Sequence, residues 1–368
     1  MIKKIVHLTS AHPRSDTRIF IKECTSLSKA GYEVVLIVAD GKGDEIKNNI
    51  RIIDVNKQGS QSKLNRIFKL RYLVYQAALK ENGELYHFHD PELISVGLKL
   101  KKVGKKVIYD IHEDLPRQAL AKDYIPRFLR VPLSAVIEYY ENRSVKKFNA
   151  AITATPFINH RFLKLNPNSV NINNFPIIGE LAMLEASKEK EKAICFVGGI
   201  DRQRGVKQLI EATALCNVKL FLVGTFSSID FKNEMKALPA WKNVIEYGQL
   251  SRKEVAEIMS KSICGAVTFL PIPNHCNAQP NKMFEYMSAS LPVLCSDFPL
   301  WKEIIEGNKC GICVDPENPA SIAEGIKKIV SDVNIMNQMG RNSHNAIIHK
   351  YNWEIESKKL INLYINLN

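Results

Sequence analysis

The sequence predicts an α/β protein built from two Rossmann-like domains, and three observations support this. Its 368 residues are enough for two domains of roughly 150 residues each. In both halves, short apolar runs alternate with longer segments of helical periodicity, which is typical of βαβ units around a parallel sheet. Residues 177–192 are charged and lack a strand pattern, so we expect a linker there. The predicted domains are residues 1–176 and 193–350, followed by an amphipathic helix at 351–368.

The composition narrows the class of protein. An apolar fraction of 45 % and a charged fraction of 24 % are ordinary for a soluble globular protein, and no apolar run reaches the roughly 18 residues of a membrane span. The opening MIKKIVHLTS leads straight into a strand pattern and does not fit a signal peptide, so we expect a cytoplasmic protein. The eight cysteines do not indicate disulfides, and Cys310 and Cys313 form a single CxxC without the second pair that a zinc site needs.

The net charge of +13 is distributed unevenly along the chain. Residues 1–184 hold 29 Lys and Arg against 18 Asp and Glu, which gives +11, whereas residues 185–368 hold 22 against 20, which gives +2. We therefore expect the N-terminal half to face an anionic partner. A membrane surface, a phosphorylated acceptor and nucleic acid all stay open at this point.

The first domain is predicted to open with a βαβ unit. An apolar run at 4–9 is followed by a polar loop, a helix and a strand at 33–38. The loop at 10–18 lies at the carboxyl end of the first strand, where open α/β sheets bind ligands. Asp16 and Arg18 are therefore binding candidates, although Asp16 can also cap the helix and pair with Arg18.

Two amphipathic segments of the first domain allow two interpretations each. Residues 62–80 and 123–148 both combine apolar and basic positions. Each segment can lie on an anionic membrane or acceptor, or it can pack against the core with a solvated face. The positions concerned are Leu64, Ile67, Phe68, Tyr72 and Tyr75 with Lys63, Arg66, Lys69 and Arg71 in the first segment, and Tyr124, Phe128, Leu129 and Tyr139 in the second.

Polar residues follow two further strands of the first domain. The strand at 85–89 ends in HDPE, and the strand at 106–111 is followed by HED. Because the carboxyl ends of parallel strands share one edge of the sheet, we expect these side chains near the loop at 10–18. Two histidine-containing strand ends at one edge favour a site over separate structural roles. The residues are His89, Asp90, Glu92, His112 and Glu113.

The second domain is predicted to open on a strand at 193–197, a glycine-rich turn and a helix. Backbone N–H groups in such a turn can bind phosphate, although the residues match neither a P-loop nor GxGxxG. Further strands are expected at 218–223, 244–247 and 265–269.

Residues 279–306 predict a helix, a tight turn, a buried strand and a second helix. Pro280 fits the first helical position, and Glu285 lies one turn beyond the helix tip. Such a tip suits a nucleotide diphosphate, because N–H groups bind phosphate and a carboxylate binds ribose hydroxyls; an ordinary core helix with a solvated glutamate has the same pattern. The N–H groups concerned belong to Asn281, Lys282 and Met283.

The segment NKMFEYMSASLPVLCSDFPLW resembles the donor-nucleotide segment of family 4, or group 1, retaining glycosyltransferases of the GT-B fold. It is most similar to members with N-K-x-F-E-Y-M. HPRSDTRIFIKE, HFHDPEL, YDIHEDLPRQ and the segment after Val197 resemble other parts of that family, so the resemblance covers nearly the whole chain. It implies two Rossmann-like domains that face each other across a cleft, with the final helix crossing back to the first domain.

The resemblance also implies roles for individual residues. Glu285 matches a glutamate that binds the donor ribose, and His112 matches a histidine that contacts the donor sugar. Arg204 stands where the family has a phosphate-binding lysine. Asn277 and Gly199 depart from the family, which has Glu and often Arg at those positions.

Three groups of site residues follow from this interpretation. The catalytic residues are His112, Arg204, Lys282 and Glu285. The donor-binding residues are Gly198, Gly199, Arg202, Arg204, Gln249, Asn281, Lys282 and Glu285, with Arg202 as a further cation for phosphate. The acceptor or cleft residues are Asp16, Arg18, His89, Asp90, Glu92 and Glu113.

The implied activity is retaining transfer from a UDP- or GDP-sugar to a glycan or polyprenyl-linked acceptor, in bacterial cell-surface polysaccharide synthesis at the inner face of the membrane. No Asp-x-Asp pair is present to hold a metal on the diphosphate. We therefore expect metal-independent transfer without a cofactor, in which Arg204, Lys282 and helix N-termini stabilise the leaving group. Two alternatives stay open: a sugar-nucleotide 2-epimerase of the same fold, and a basic protein that binds membranes or nucleic acid, although no recognised nucleic-acid module is present.

Overall fold

The computed structural model describes residues 2–56, 63–122, 125–180 and 190–367, but not the side chains of residues 63–68 and 121. Two units make up the chain: unit 1 is Met1–Asn174 with Glu354–Asn368, and unit 2 is Phe175–Trp353. Each unit is an α/β domain around a largely parallel sheet, which confirms the predicted fold class. No helix in the described ranges has both the length and the apolar character needed to cross a membrane.

The sheet of unit 1 has eight strands. They are β1 Lys4–Leu8, β2 Glu33–Val38, β3 Glu45–Lys47, β4 Ile50–Asp54, β5 Leu85–Phe88, β6 Lys106–Ile111, β7 Ala150–Thr153 and β8 Ser169–Asn171. Their order is β3-β4-β2-β1-β5-β6-β7-β8, and only the β3–β4 pair is antiparallel. The central strands are buried on both faces, as expected for parallel strands that helices cover on either side.

Helices cover both faces of this sheet. A π-helical segment, Thr17–Cys24, leads into α1 Thr25–Lys29. The others are α2 Lys63–Glu81, α3 Ile94–Lys102, α4 Leu115–Ala121, α5 Arg127–Val145, α6 Pro156–Leu163 and, at the end of the chain, α14 Trp353–Asn366. A short 3₁₀ turn, Pro91–Leu93, precedes α3.

The two amphipathic segments differ from one another. In α2, Leu70, Val74 and Ala78 are buried against the core, whereas Tyr72 is 60 % exposed, which excludes the core interpretation for Tyr72 and leaves the membrane interpretation open. The side chains of Lys63, Leu64, Arg66, Ile67 and Phe68 lie outside the described part of the chain. In α5, Phe128, Leu129 and Tyr139 are exposed, which excludes the core interpretation for them. Tyr124 is not among the described residues.

The sheet of unit 2 has six strands, all parallel. They are β9 Ala193–Val197, β10 Lys219–Val223, β11 Val244–Gly248, β12 Cys264–Val267, β13 Val293–Ser296 and β14 Gly311–Val314. Their order is β11-β10-β9-β12-β13-β14. The helices are α7 Val206–Cys216, α8 Ile229–Lys236, α9 Arg252–Lys261, α10 Asn281–Ser288, α11 Pro299–Ile305, α12 Pro319–Val330 and α13 Val333–His349, with 3₁₀ turns at Arg202–Arg204 and Pro239–Asn243.

A tyrosine fixes α10 against the sheet of unit 2. The Tyr286 ring is fully buried, and its hydroxyl oxygen accepts a hydrogen bond from the N–H of Val197 at 2.8 Å. A Cβ on Gly265 of β12 would lie 2.2 Å from the ring. The absence of a side chain at Gly265 therefore allows α10 to approach the sheet closely.

We predict that Gly265→Ala lowers the free energy of unfolding by about 1–3 kcal/mol, because the new methyl group collides with Tyr286 in a packed core. Denaturant unfolding measures the change. Tyr286→Leu removes the ring with which the new methyl group collides. The double variant should therefore lose less free energy of unfolding than the two single variants lose in sum. Strict additivity would show that the ring does not set the helix position.

Candidate active site

Helix α10 positions the predicted donor residues of unit 2. It begins at Asn281, one residue after Pro280, whose backbone is extended with a ψ of 128°. The sequence predicted Pro280 as the first helical residue. Its extended ψ places it just outside the helix instead. Its carbonyl oxygen accepts a hydrogen bond from the N–H of Met283 at 3.0 Å. This bond removes Met283 from the N–H groups predicted to bind an anion.

Glu285 lies on α10 between two cations. Its side chain is 13 % exposed and contacts the ammonium group of Lys282, while its Oε1 lies 3.3 Å from Nη1 of Arg252. Arg252, at the start of α9, also binds Glu180. Sequence analysis missed Arg252, because a basic residue in the first turn of a polar helix gives no signal of its own.

Close backbone contacts shape the loops at the carboxyl edge of the unit 2 sheet. A Cβ on Gly224 would lie 1.8 Å from the carbonyl oxygen of Gly198. A Cβ on Gly205, whose φ is +67°, would lie 1.9 Å from the carbonyl oxygen of Thr268. The loops after β9, β10 and β12 thus meet at positions where only glycine fits.

The two predicted arginines of the β9 loop point in different directions. Nη1 of Arg204 donates to the carbonyl oxygen of Gly199 at 3.1 Å, and its Nε lies 3.3 Å from the Asp201 carboxylate. Arg202 instead pairs with Glu234 on α8. The role of Arg202 as a further cation for phosphate stays a prediction, and a phosphate would have to displace Glu234 from it.

Two further predicted donor residues, Gln249 and Asn281, and the departing residue Asn277 lie in loops or helix ends of unit 2. Gln249 is exposed directly after β11, and Asn281 is exposed at the start of α10. Asn277 is partly buried in the loop that precedes α10. The edge thus presents amide side chains beside the cationic groups of Lys282, Arg252 and Arg204.

A second polar cluster lies in unit 1, centred on Asp110. This fully buried carboxylate of β6 accepts hydrogen bonds from Nε and Nη2 of Arg18 at 2.9 and 2.8 Å, from His89 at 3.1 Å and from His112 at 2.9 Å. Burial alone would raise the pKa of Asp110, but the charges and hydrogen bonds of Arg18, His112 and His89 hold that pKa well below its usual range. Sequence analysis missed Asp110, although an aspartate inside an apolar strand, two residues before His112, was an available signal.

Arg18 has a different role from the one predicted. Its side chain is only 4 % exposed, and it binds Asp110 and the carbonyl oxygen of Ile172. It is thus buried, and its guanidinium pairs with Asp110 instead of Asp16. Asp16 caps the following helix by accepting hydrogen bonds from the N–H groups of Arg18 and Ile19 at 2.9 Å.

Asp90 organises the loop after β1. It accepts hydrogen bonds from the Thr9 hydroxyl at 2.8 Å and the Ser10 N–H at 2.6 Å, and it lies 2.8 Å from Nδ1 of His12. Burial alone would raise the pKa of Asp90, but the bonds from His12, Ser10 and Thr9 outweigh burial, so the pKa of Asp90 is lowered. The hydrogen bond to Asp90 in turn raises the pKa of His12. Glu92 accepts a hydrogen bond from the Ser10 hydroxyl at 3.0 Å.

Glu113 is the predicted residue that stays outside this cluster. It is exposed and contacts Gln118 of α4. His112 itself is partly accessible, with 19 % of its side chain exposed. The edge of unit 1 therefore offers two partly exposed imidazoles that buried carboxylates hold, His112 beside Asp110 and His12 beside Asp90.

The comparisons with known proteins agree with this architecture. Residues 18–172 match the family model described as "Glycosyltransferase Family 4", and residues 183–346 match the one described as "Glycosyl transferases group 1". The two models match separate parts of the chain, and together with the fold they support a group 1 glycosyltransferase. This agrees with the predicted family, whereas the N-K-x-F-E-Y-M subgroup stays a prediction.

Two curated relatives match part of this chain. An uncharacterized glycosyltransferase of Methanocaldococcus jannaschii is 28 % identical over 182 residues, 48 % of this chain and 45 % of that protein. The capsular polysaccharide biosynthesis glycosyltransferase CapM of Staphylococcus aureus is 24 % identical over 179 residues, 46 % of this chain and 45 % of CapM. The matched region thus spans about half the length of these relatives.

Solved structures share the fold over the whole chain. Sucrose-phosphate synthase from Thermosynechococcus elongatus has a TM-score of 0.79 at 16 % identity, with 99 % of each chain covered. HepE from Anabaena, in complex with UDP-glucose, has a TM-score of 0.74 at 15 % identity, also with 99 % of each chain covered. WaaG, a glycosyltransferase involved in lipopolysaccharide biosynthesis, has a TM-score of 0.71 at 17 % identity and covers 98 % of this chain and 99 % of its own.

We predict that Asp110→Asn lowers the free energy of unfolding by about 3–5 kcal/mol, because it leaves the buried Arg18 without its bidentate counter-charge. Denaturant unfolding measures the loss. Glu113→Gln is the control and should change the value by less than about 0.5 kcal/mol, since Glu113 is exposed. An equally small effect of Asp110→Asn would show that another carboxylate can replace Asp110 as the partner of Arg18.

Proposed function

We propose that this glycosyltransferase moves a sugar from a UDP- or GDP-sugar to a glycan or lipid-linked acceptor, with retention of configuration at the anomeric carbon. The observation that supports this most is Glu285, held between Lys282 and Arg252 near the tip of α10. A carboxylate there suits two ribose hydroxyls, and cations beside it suit a diphosphate. The HepE structure with UDP-glucose supports the choice of donor class.

The contacts of Glu285 are of a kind that a nucleotide can replace. Lys282 and Arg252 are 30 % and 49 % exposed, and such ion pairs contribute only about 0–1 kcal/mol each. Donor binding would free both cations for phosphate while ribose hydroxyls donate to the carboxylate. The loss of the two ion pairs is then offset by stronger charge-assisted bonds.

Charge stabilisation of the leaving diphosphate is the main catalytic task in this proposal. Lys282 and Arg204 are partly exposed at the same sheet edge, where they would stabilise negative charge as the glycosidic bond breaks. In a retaining front-face transfer, the leaving phosphate takes the proton of the acceptor hydroxyl. His112 would contact the transferred sugar through Nδ1, because its Nε2 is held by Asp110 at 2.9 Å.

The acceptor is proposed to reach unit 1 from an anionic membrane surface. Helix α5 exposes Phe128, Val131, Val136 and Tyr139 at 79 %, 69 %, 64 % and 67 %. Basic residues on the same helix, together with the +11 of the N-terminal half, add attraction to anionic lipids. Peripheral binding of this kind, with polysaccharide synthesis as its purpose, suits a lipid-linked acceptor. None of the relatives named above is an epimerase, so we do not propose that alternative.

We predict that Glu285→Gln weakens binding of the matching sugar nucleotide by about 1.5–3 kcal/mol, because a charged hydrogen bond to ribose is lost. Isothermal titration calorimetry measures the affinity, and a transfer assay follows the activity. Glu303→Gln, an exposed position on α11, is the matched control and should bind like the wild type. Wild-type affinity and transfer in Glu285→Gln would contradict the donor site.

The same titration tests metal independence. We expect the affinity for the sugar nucleotide to be equal with and without Mg²⁺, since Lys282 and Arg204 take the place of a metal on the diphosphate. Binding that requires Mg²⁺ would overturn this part of the proposal.

We predict that Phe128→Asp with Val131→Asp reduces co-sedimentation with anionic liposomes by more than tenfold, because burial of each side chain contributes about 1.5–3 kcal/mol. Both side chains are exposed, so the fold should not change. Val333→Asp with Ile335→Asp, exposed positions on α13 of unit 2, is the control. If the α5 variant sediments like the wild type, α5 is not the membrane contact.

A further inference from the structure

Four buried side chains of unit 1 converge in a group to which the proposed transfer assigns no chemical step. His7 lies on β1, His87 lies on β5, His89 follows β5, and Glu23 lies on the π-helical segment before α1. Three of them are fully buried and His89 is 2 % exposed. Each offers one ligand atom, and these atoms all lie within 4.8 Å of one another.

In each imidazole, the ring nitrogen that points away from the centre of the group has a polar partner. Nδ1 of His89 binds Asp110 at 3.1 Å, and Nδ1 of His87 binds the Tyr364 hydroxyl at 2.7 Å. Nε2 of His7 lies 3.5 Å from the same hydroxyl. The other nitrogens, Nδ1 of His7 and Nε2 of His87 and His89, face the centre of the group, where Nδ1 of His7 and Nε2 of His89 bond to each other and Nε2 of His87 has no hydrogen-bond partner among the described residues. Metal-binding histidines are oriented in this way by a carboxylate or another polar group on the other ring nitrogen.

The centre of the group contains unsatisfied polar atoms. Within the described residues, Nε2 of His87 and both carboxylate oxygens of Glu23 have no hydrogen-bond partner. These two groups lie 3.9 Å apart, and Nδ1 of His7 lies 2.9 Å from Nε2 of His89. Leaving such groups unpaired in a core costs about 1–3 kcal/mol each, so their convergence calls for a ligand.

The charges around Glu23 also favour a bound cation. Nε of Arg18 lies 3.1 Å from Glu23, but the same guanidinium is already bonded in bidentate fashion to Asp110. One guanidinium thus faces two buried carboxyl groups and bonds only Asp110 in bidentate fashion. A metal ion beside Glu23 would supply the further positive charge that an ionised Glu23 needs in the core.

We propose that His7, Glu23, His87 and His89 bind one Zn²⁺ ion. Three imidazoles and a carboxylate are ligands that zinc accepts in tetrahedral geometry. With four protein ligands and no exposed face, the site is closed, which is the pattern of a structural zinc. It would link β1 and β5 to the helix that precedes α1.

An overlapping set does not carry the same inference. His89, Asp110 and His112 also lie close enough to bind a metal. Their facing atoms, however, already bond to each other, and Asp110 is bonded to Arg18. The group around Glu23 also contains one such bond, between His7 and His89, but of these two described groups it alone includes buried atoms without a hydrogen-bond partner, namely Nε2 of His87 and the carboxylate oxygens of Glu23.

The test uses the full-length protein, stripped with a chelator and then titrated with Zn²⁺ or Co²⁺. We expect one metal per chain by elemental analysis, the visible absorption of tetrahedral Co²⁺, and a higher melting temperature with metal. Glu23→Gln and His87→Gln should each weaken metal binding at least about tenfold. His160→Gln, an exposed histidine on α6, is the matched control and should bind like the wild type.

Three outcomes would overturn the proposal. The first is a wild-type protein that takes up no metal and shows no change in melting temperature. The second is binding that is equal in the wild type, Glu23→Gln and His87→Gln, which would place the metal elsewhere. The third is loss of metal in Cys313→Ser with retention in Glu23→Gln, which would assign it to the cysteines. If His87→Gln does not fold, the isosteric Glu23→Gln decides alone.

Discussion

Parallel strands end at one edge of their sheet, and this constraint decides which polar residues of the chain can meet. In unit 1 it brings the loop after β1, Asp90 after β5 and His112 after β6 to one place. In unit 2 it brings the loops after β9, β10 and β12 into backbone contact, where Gly205 and Gly224 have no room for a side chain. Residues far apart in the chain therefore form two polar edges, one in each unit.

The two edges differ in how strongly they hold their charges. In unit 1, Arg18 and Asp110 are buried, so each depends on the other, and removal of either leaves an uncompensated charge. In unit 2, Glu285 and its two cations are partly solvated, and their ion pairs are easily exchanged. A rigid buried cluster suits positioning of His112, whereas exchangeable pairs suit a site that must admit and release a charged nucleotide.

The features that could be predicted from the sequence are those that a local pattern or the family resemblance determines. Alternation of apolar runs with helical segments predicted both sheets, and the motif resemblance predicted the roles of Glu285 and His112. Asp110, Arg252 and Glu23 were missed, because their importance arises from tertiary contacts; Arg18 and Asp110 are 92 residues apart. The hairpin of β3 and β4 was also missed, since β3 is a short, exposed, charged strand, although Asn48 and Asn49, with φ of 52° and 60°, are typical hairpin-turn residues. The Arg202 side chain points towards Glu234, with which it forms an ion pair. No local sequence pattern predicts that pair.

The central claim is that the carboxyl edge of unit 2 binds the nucleotide of a sugar donor. Hydrogen–deuterium exchange of the wild-type protein, with and without a saturating UDP- or GDP-sugar, tests it most directly. The account predicts slower exchange at residues 198–205 and 280–286, where the loop after β9 and the tip of α10 would contact the phosphates and ribose, with no change along α5. Protection confined to unit 1, or no protection with any sugar nucleotide, would contradict it.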